Sequence, residues 1–358
     1  MIWSTSRAQL AAGYPPPEHP YFQRAYAFAQ SWLAGQDEFV VHTSGSTGTP
    51  KAIRLSRVQL ESSARQTGAA LHLGPGTQAL ASLHVGYIGG LMMLVRALVL
   101  DWELTLREPV ANPLLDLPGE MSFDFTPLVP LQLGAILANP STQEAVGRLG
   151  KILLGGAPVS ASLAEEIKRL NVPVYQSYGM TETVSHVALR ALNGPTASEA
   201  YRLLEGLTYG TDARGCLYVA GAVTRGEVVQ TNDRVALGPE GTFRWLGRAD
   251  NIINSGGVKI QLEKVDRGVE KVLYELGRAE AFFCWHEPDE VLGQKLVLFV
   301  EYLQVPFPEA EVLSRLREVL SAYEVPKKMY SVPELIRTPT GKVDKPKTAA
   351  AFWASRKE

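Results

Sequence analysis

Residues 151–176 read KILLGGAPVSASLAEEIKRLNVPVYQ, and the fold turns on how this stretch is parsed. Lys151-Ile152-Leu153-Leu154 is a short apolar run with the texture of a buried strand, and it ends in Gly155-Gly156. Ser162 and Glu165 stand at capping-box spacing. Leu163, Ile167 and Leu170 then recur at i, i+4 and i+7, the apolar stripe of a helix. Val172 to Gln176 is the next strand. Strand, helix and strand in so short a span predict a parallel α/β unit.

The same grammar extends upstream. Pro15-Pro16-Pro17 marks an extended connection ahead of a helix from Tyr21 to Leu33. Glu38 to His42 is a short apolar strand, and a Gly/Ser/Thr loop follows it. Ser56 and Gln59 repeat the capping-box spacing, with Leu60, Ala64 and Leu71 on one helix face. Val85 to Trp102 is the longest apolar region, but Arg96 and Asp101 interrupt it, so it reads as a buried helix rather than a membrane span. Downstream of Asp250 the texture changes. Val265, Val269, Val272 and Leu276 mark one helix, and Val312, Leu316, Val319 and Leu320 another. Ala279 to Trp285 and Lys295 to Tyr302 are strand-like. The expected organisation is a large α/β domain over residues 1–249 and a small α+β domain over 250–358.

Composition agrees. A chain of 358 residues, 46% hydrophobic and 20% charged, has room for two folded domains. A formal net charge of −2 offers no basic surface for nucleic acid or anionic membrane. Cys216 and Cys284 lie far apart and make neither a disulfide framework nor a metal-ligand spacing, which suits a reducing compartment. Met-Ile-Trp-Ser-Thr-Ser-Arg has no apolar stretch behind it and is not a signal peptide; the expected location is the cytoplasm.

Four motifs carry chemistry. Thr43-Ser44-Gly45-Ser46-Thr47-Gly48-Thr49-Pro50-Lys51 follows a strand. Its glycines let the backbone approach an anion, its hydroxyls and N–H groups bond phosphate oxygens, and Lys51 adds charge. The spacing is not that of a Walker loop. Gln176-Ser177-Tyr178-Gly179-Met180-Thr181-Glu182-Thr183 leaves a strand with an aromatic suited to stacking on a purine. Thr181 suits a phosphate, and Glu182 is a hard oxygen ligand for Mg²⁺. Taken alone, the segment serves equally as a capped strand-to-helix turn. Thr231-Asn232-Asp233 precedes Gly247-Arg248-Ala249-Asp250. A carboxylate there accepts both hydroxyls of a ribose and the arginine adds a donor, although a β-turn with a surface ion pair has the same pattern. Pro339-Thr340-Gly341-Lys342-Val343-Asp344-Lys345 presents a lysine beside glycine, as would a solvated terminal segment.

It is the order of the four that discriminates. From Phe39 to Lys345 the chain resembles the adenylate-forming superfamily of acyl- and aryl-CoA synthetases, luciferases and peptide-synthetase adenylation domains. The resemblance implies ATP, Mg²⁺ and CoA as cosubstrates or cofactors and a small carboxylic acid as substrate. It implies that Thr43, Ser44, Gly45, Ser46, Thr47, Gly48 and Lys51 hold the β- and γ-phosphates. It places Gly156, Ala157 and Pro158 beside the adenine, with Ser177, Tyr178, Gly179, Met180 and Thr181 continuing the nucleotide site. Tyr178 would stack on adenine, Glu182 would hold the metal, and Asp233 with Arg248 would hold the ribose. Asp250 falls at the hinge, Gly256-Gly257 at the pantetheine tunnel, and Lys342 at the lysine that serves adenylation.

The chain is shorter before the phosphate loop than usual members. Ala52 stands where glycine is common, and Asp266, after the retained Glu263, where a second glutamate is usual. Compactness, the segment Tyr87 to Leu98 and the segment Phe125 to Leu133 together resemble the o-succinylbenzoate–CoA ligases of menaquinone synthesis. That resemblance implies an acid pocket with Tyr87, Gly89, Arg96 and Thr183, in which Arg96 faces the second carboxylate of the acid. A structural arginine on the helix starting near Gly90 is the alternative. His84 reads as a core or strand-end residue and His186 as a weak pocket candidate. A ligase for another aryl or short acyl acid, and an acyl-AMP ligase loading a carrier protein, share these motifs. A nucleotide-sensing remnant has no need of Lys342.

Overall fold

The computed structural model describes residues 1–42, 52–301, 307–338 and 343–356. Among them, twelve strands form one large sheet and five form a smaller one. The two apolar cores segregate: every buried residue of the small part's clusters lies at Ile253 or beyond, and none of those of the large part lies beyond Phe243. The result is a large α/β body and a small α+β one.

The 151–176 stretch behaves as its pattern dictates. Lys151–Leu154 and Val174–Gly179 are parallel neighbours, joined by the helix Ala161–Ile167. Phe125–Leu128, Gln78–Ala81 and Glu103–Arg107 extend the parallel set. Three boundaries differ from expectation. The helix stops at Ile167, so Leu170 packs beyond its end instead of completing the stripe. The helix is capped by Ser160, whose side chain accepts the Leu163 N–H at 3.2 Å, so Ser162 falls inside the first turn. The second strand starts at Val174, just past Pro173, which has no N–H for the ladder, and runs on to Gly179.

The helix Pro20–Leu33 begins with proline in its first turn, where the missing N–H costs nothing, and buries Phe22, Ala25, Ala29 and Trp32. Trp32 stacks on Phe39 with ring centroids 5.5 Å apart. Ser56 and Gln59 form the expected capping box for Arg57–Leu71. The apolar region after Val85 becomes the helix Ile88–Leu100, and no helix among the described residues is long and apolar enough to cross a membrane. At the chain's start, Ile2–Ser6 pairs antiparallel with Glu103–Arg107 and covers that edge of the sheet.

Past Val174–Gly179 the large sheet turns antiparallel through His186–Ala191, Tyr201–Leu203, Thr242–Arg248, Val229–Leu237, Cys216–Ala220 and Thr208–Thr211. Thr242–Arg248 and Val229–Leu237 pair through a bulge at Arg234/Val235. In the small part, Leu262–Glu275 buries Val265, Val269 and Val272, with Leu276 at its cap. Glu309–Val319 buries Val312 and Leu316, while Val319 is exposed and Leu320 packs inward just past the helix end. The strands there are Phe282–Asp289 and Gly293–Glu301, displaced a few residues from the expected bounds.

Candidate active site

The antiparallel turn of the sheet brings the second and third motifs together. Tyr178 leaves the strand Val174–Gly179, and Asp233 sits on Val229–Leu237 with 7% exposure. The Tyr178 hydroxyl donates to Asp233 Oδ2 at 2.8 Å. Burial first, and then the negative charge of Asp233, push the Tyr178 phenol far above its ordinary range, so it remains a donor. Its ring packs against Phe243 and Tyr201, with centroids at 5.2 and 5.8 Å.

Arg248 pairs across the sheet with Asp233, its Nη1 3.8 Å from Asp233 Oδ1. Its strong bonds go elsewhere: Nε and Nη2 donate to the two oxygens of Asp250 at 2.9 and 2.6 Å. The hydrogen bond from Arg248 holds Asp250 below the usual carboxylate range, and Asn232 Nδ2 adds a contact at 3.4 Å. Asp250 therefore sits between the last strand of the large sheet and the first of the small one, tied to the same arginine that reaches toward Asp233. Gln261 Nε2 donates to the Arg248 carbonyl at 2.8 Å, and Asn251 Nδ2 to Glu263 Oε1 at 2.6 Å, which fastens the start of the small part to this segment.

Gly179 is required by contact. A Cβ there would lie 2.2 Å from the Ser185 carbonyl oxygen, at the bulge where the chain doubles back. Ser177 Oγ donates to the Leu154 carbonyl at 2.9 Å and so binds the strand end to the Gly155-Gly156 turn, with Gly156 and Pro158 exposed and Ala157 half-buried. Met180 N–H donates to Thr183 Oγ1 at 3.1 Å. Thr181 and Glu182 open a one-turn helix in which Glu182 is exposed. Val184 follows at φ 67° and ψ −61°, and the Ser185 N–H reaches the Thr183 carbonyl at 2.8 Å: a γ-turn, strained for a β-branched residue, directly behind the Glu182 turn. Among the described residues no three His, Cys, Asp or Glu gather as a metal cluster. A Mg²⁺ held by one protein carboxylate plus nucleotide phosphates fits Glu182.

The acid-side residues spread further. Tyr87 caps the helix Ile88–Leu100 and is exposed, with Gly89 exposed beside it. His84 lies on an exposed loop past the strand Gln78–Ala81, its Nδ1 accepting the Gly86 N–H at 3.0 Å, so it is not in the core. Thr183 is fully buried and its hydroxyl is committed to the backbone of Met180 and Ser185; it folds the turn rather than offering a free hydroxyl to an acid. Arg96 is 3% exposed. Its Nε donates to Thr67 Oγ1 at 3.3 Å and its Nη1 meets Met93 Sδ at 3.6 Å, with no carboxylate partner among the described residues. Burial lowers it to about 10, which still leaves it charged at neutral pH. The Thr67 hydroxyl gives its proton to the Ser63 carbonyl, so the 3.3 Å contact with His186 Nε2 makes that nitrogen the donor. Burial, with Arg96 second, lowers His186 to about 3 and keeps it neutral.

Gly256 and Gly257 form the two-residue turn of a hairpin, at φ 59° and 82°, joining Ile252–Ser255 to Val258–Gln261. Thr43 to Lys51 and Lys342 lie outside the described residues. The described residues before and after Lys342 are tied together: Arg337 bridges Val343, Asp344 N–H donates to the Ile336 carbonyl at 2.7 Å, and Lys345 Nζ reaches Asp266 Oδ2 at 2.6 Å. Asp266, a departure in the sequence, thus holds the lysine three positions past Lys342. Sequence reading missed Trp245, whose Nε1 donates to Asp233 Oδ1 at 3.1 Å; an indole on a strand next to Gly247-Arg248 was the available signal.

Two family models match the chain. The family model of the AMP-binding enzyme matches residues 21–215, and that of the AMP-binding enzyme C-terminal domain matches 268–342. A crystal structure of an acyl-CoA synthetase (AMP-forming)/AMP-acid ligase II-like protein from Dyadobacter fermentans is 54% identical, with 98% of this chain and 100% of that one covered and a TM-score of 0.69. The 2-succinylbenzoate–CoA ligase of Staphylococcus aureus is 26% identical over 337 residues, 86% of this chain; the chain spans 66% of that relative's length. The O-succinylbenzoate Coenzyme A synthetase of Bacillus subtilis, in complex with ATP and magnesium ion, shares the fold at TM-score 0.72 and 22% identity, over 87% of this chain and 69% of that one.

Proposed function

Since the chain belongs to the AMP-binding enzyme family, we propose that it is an ATP-dependent acid–CoA ligase working through an acyl-adenylate. The observation that carries the reading is the convergence of Tyr178, Asp233, Arg248 and Asp250 at the junction of the two sheets. A nucleotide stacked on Tyr178 meets the Asp233 carboxylate with its ribose and projects its phosphates toward Thr181, Glu182 and the Thr43–Lys51 loop. Glu182 and the phosphates would hold Mg²⁺, whose charge would neutralise that of the phosphates.

The acid's carboxylate attacks the α-phosphate, the α–β phosphoanhydride bond breaks, and pyrophosphate leaves. Lys342 stabilises the charge that develops there. The CoA thiolate, entering along a path past Gly256-Gly257, then adds to the acyl carbon and AMP departs with the bonding electron pair. The small domain, 250–358, turns about Asp250 between the two steps and carries Lys342 away. In the orientation described here it is held by the Arg248–Asp250 pair and by Glu270, whose Oε1 accepts the Ala161 N–H at 3.1 Å.

The proposed acid is o-succinylbenzoate. A buried guanidinium with no carboxylate partner among the described residues is costly unless an anion joins it, and Arg96 beside neutral His186 suits the carboxylate that is not activated. An acid panel, assayed for AMP, pyrophosphate and acyl-CoA with and without CoA, tests both levels. Thioester from o-succinylbenzoate supports the reading; thioester only from monoacids keeps the ligase and removes the diacid; adenylate that never passes to CoA moves the acceptor to a carrier protein.

A further inference from the structure

We propose that Trp245 is a positioning residue for the nucleotide: its indole N–H fixes the plane of the Asp233 carboxylate so that the two remaining lone pairs meet the ribose diol. The inference rests on reading Asp233 as the ribose acceptor. An ionised carboxylate offers about four lone-pair directions, two on each oxygen. Tyr178 takes one on Oδ2 and Trp245 one on Oδ1, at 2.8 and 3.1 Å. One direction remains on each oxygen, which is the count a vicinal 2′,3′-diol needs.

The two donors come from different strands, Val174–Gly179 and Thr242–Arg248, and each holds a different oxygen of the carboxylate. Arg248 cannot set the plane. Its Nη1 is 3.8 Å from Asp233, and its fork is spent on Asp250. The backbone is built to deliver the indole. In the pairing of Val229–Leu237 with Thr242–Arg248, Asp233 opposes Arg248 and Val235 opposes Trp245, with the register shifting between Arg234 and Val235. Residues two apart on a strand share a face, so Val235 lies on the Asp233 face and its partner Trp245 with it. Without the bulge, Trp245 would oppose the next residue and point to the other face.

The test is calorimetric titration of Trp245→Phe, which keeps an aromatic ring and removes the donor, with ATP and with 2′,3′-dideoxyATP. The expected result is an ATP affinity about tenfold weaker with dideoxyATP affinity unchanged, so that the preference for the diol falls by the same factor. The preference is a ratio taken on one sample and is insensitive to a partly unfolded fraction. An unchanged preference, or equal weakening of both nucleotides, overturns the proposal and makes Trp245 a packing residue. Asp233→Ala in parallel separates the two layers. If it abolishes the preference while Trp245→Phe keeps it, only the Trp245 role falls; if it leaves the preference intact, Asp233 is not the ribose acceptor and both readings fall.

Discussion

The proposed nucleotide side and the proposed acid side hold their arginines in opposite ways. Arg248 has a side chain 42% exposed and stands between two carboxylates, Asp250 in bidentate contact and Asp233 beyond it. Arg96 is enclosed, with a threonine hydroxyl and a methionine sulfur for company and a histidine held neutral nearby. Around Arg248 the chain supplies its own counter-charge, in Asp250 and Asp233. Around Arg96 no counter-charge appears among the described residues, and a buried guanidinium in that setting supports the anionic group proposed for it.

Breaking the acid side has the largest effect. Arg96→Ala should cost about 2–5 kcal/mol of binding to the spare carboxylate of a diacid, and benzoate-type monoacids should be affected little, as read by competition binding. Equal losses for both classes would make Arg96 structural and dissolve the contrast. Next comes the lysine proposed to serve adenylation. Lys342→Ala should slow acyl-adenylate formation by about 10²–10³ and leave thioester formation from supplied adenylate near wild type, measured as separate half-reactions.

A smaller effect follows from His186. Its ordinary value is 6.5 and its folded value about 3. Below 6.5 the unfolded chain takes up a proton that the folded chain refuses, so stability is intact above that pH and falls with acid down to about 3, by about 1.4 kcal/mol per pH unit at most. Denaturant unfolding from pH 7 to pH 4 should show that slope, and His186→Gln should flatten it. The smallest effect is on the nucleotide side. Asp250→Asn removes a partly exposed ion pair and should change unfolding free energy by only about 0–1 kcal/mol, while altering the balance between the two half-reactions. A large loss of stability there would mean that the Arg248–Asp250 pair is a structural clamp and not a hinge contact.

Much of this was legible because strong local rules coincided. The parallel unit showed itself through Lys151–Leu154 and the Leu163/Ile167 stripe, and the capping box at Ser56 and Gln59 named a helix start outright. The antiparallel half was less legible. Strands such as Val229–Leu237 and Thr242–Arg248 mix polar and apolar residues around a bulge, and a bulge resets which residues share a face without leaving a compositional mark. Trp245 was missed for that reason. The capping-box spacing pointed to Ser162, but the backbone leaves its extended path at Ser160, two residues earlier. Asp266 read as a departure from a pattern; its ion pair with Lys345, across 79 positions, is tertiary and has no local signature. Thr183 looked like a pocket hydroxyl because its bonds to Met180 and Ser185 depend on the γ-turn at Val184, which propensity argues against.

The most direct measurement of the central claim is acid-dependent exchange of labelled pyrophosphate into ATP with CoA absent. An adenylating enzyme must return label to ATP only when a carboxylic acid is present, with o-succinylbenzoate supporting the fastest exchange, and Lys342→Ala must suppress it. Exchange that proceeds without any acid, or no exchange with any acid while ATP is cleaved to ADP, would contradict the account.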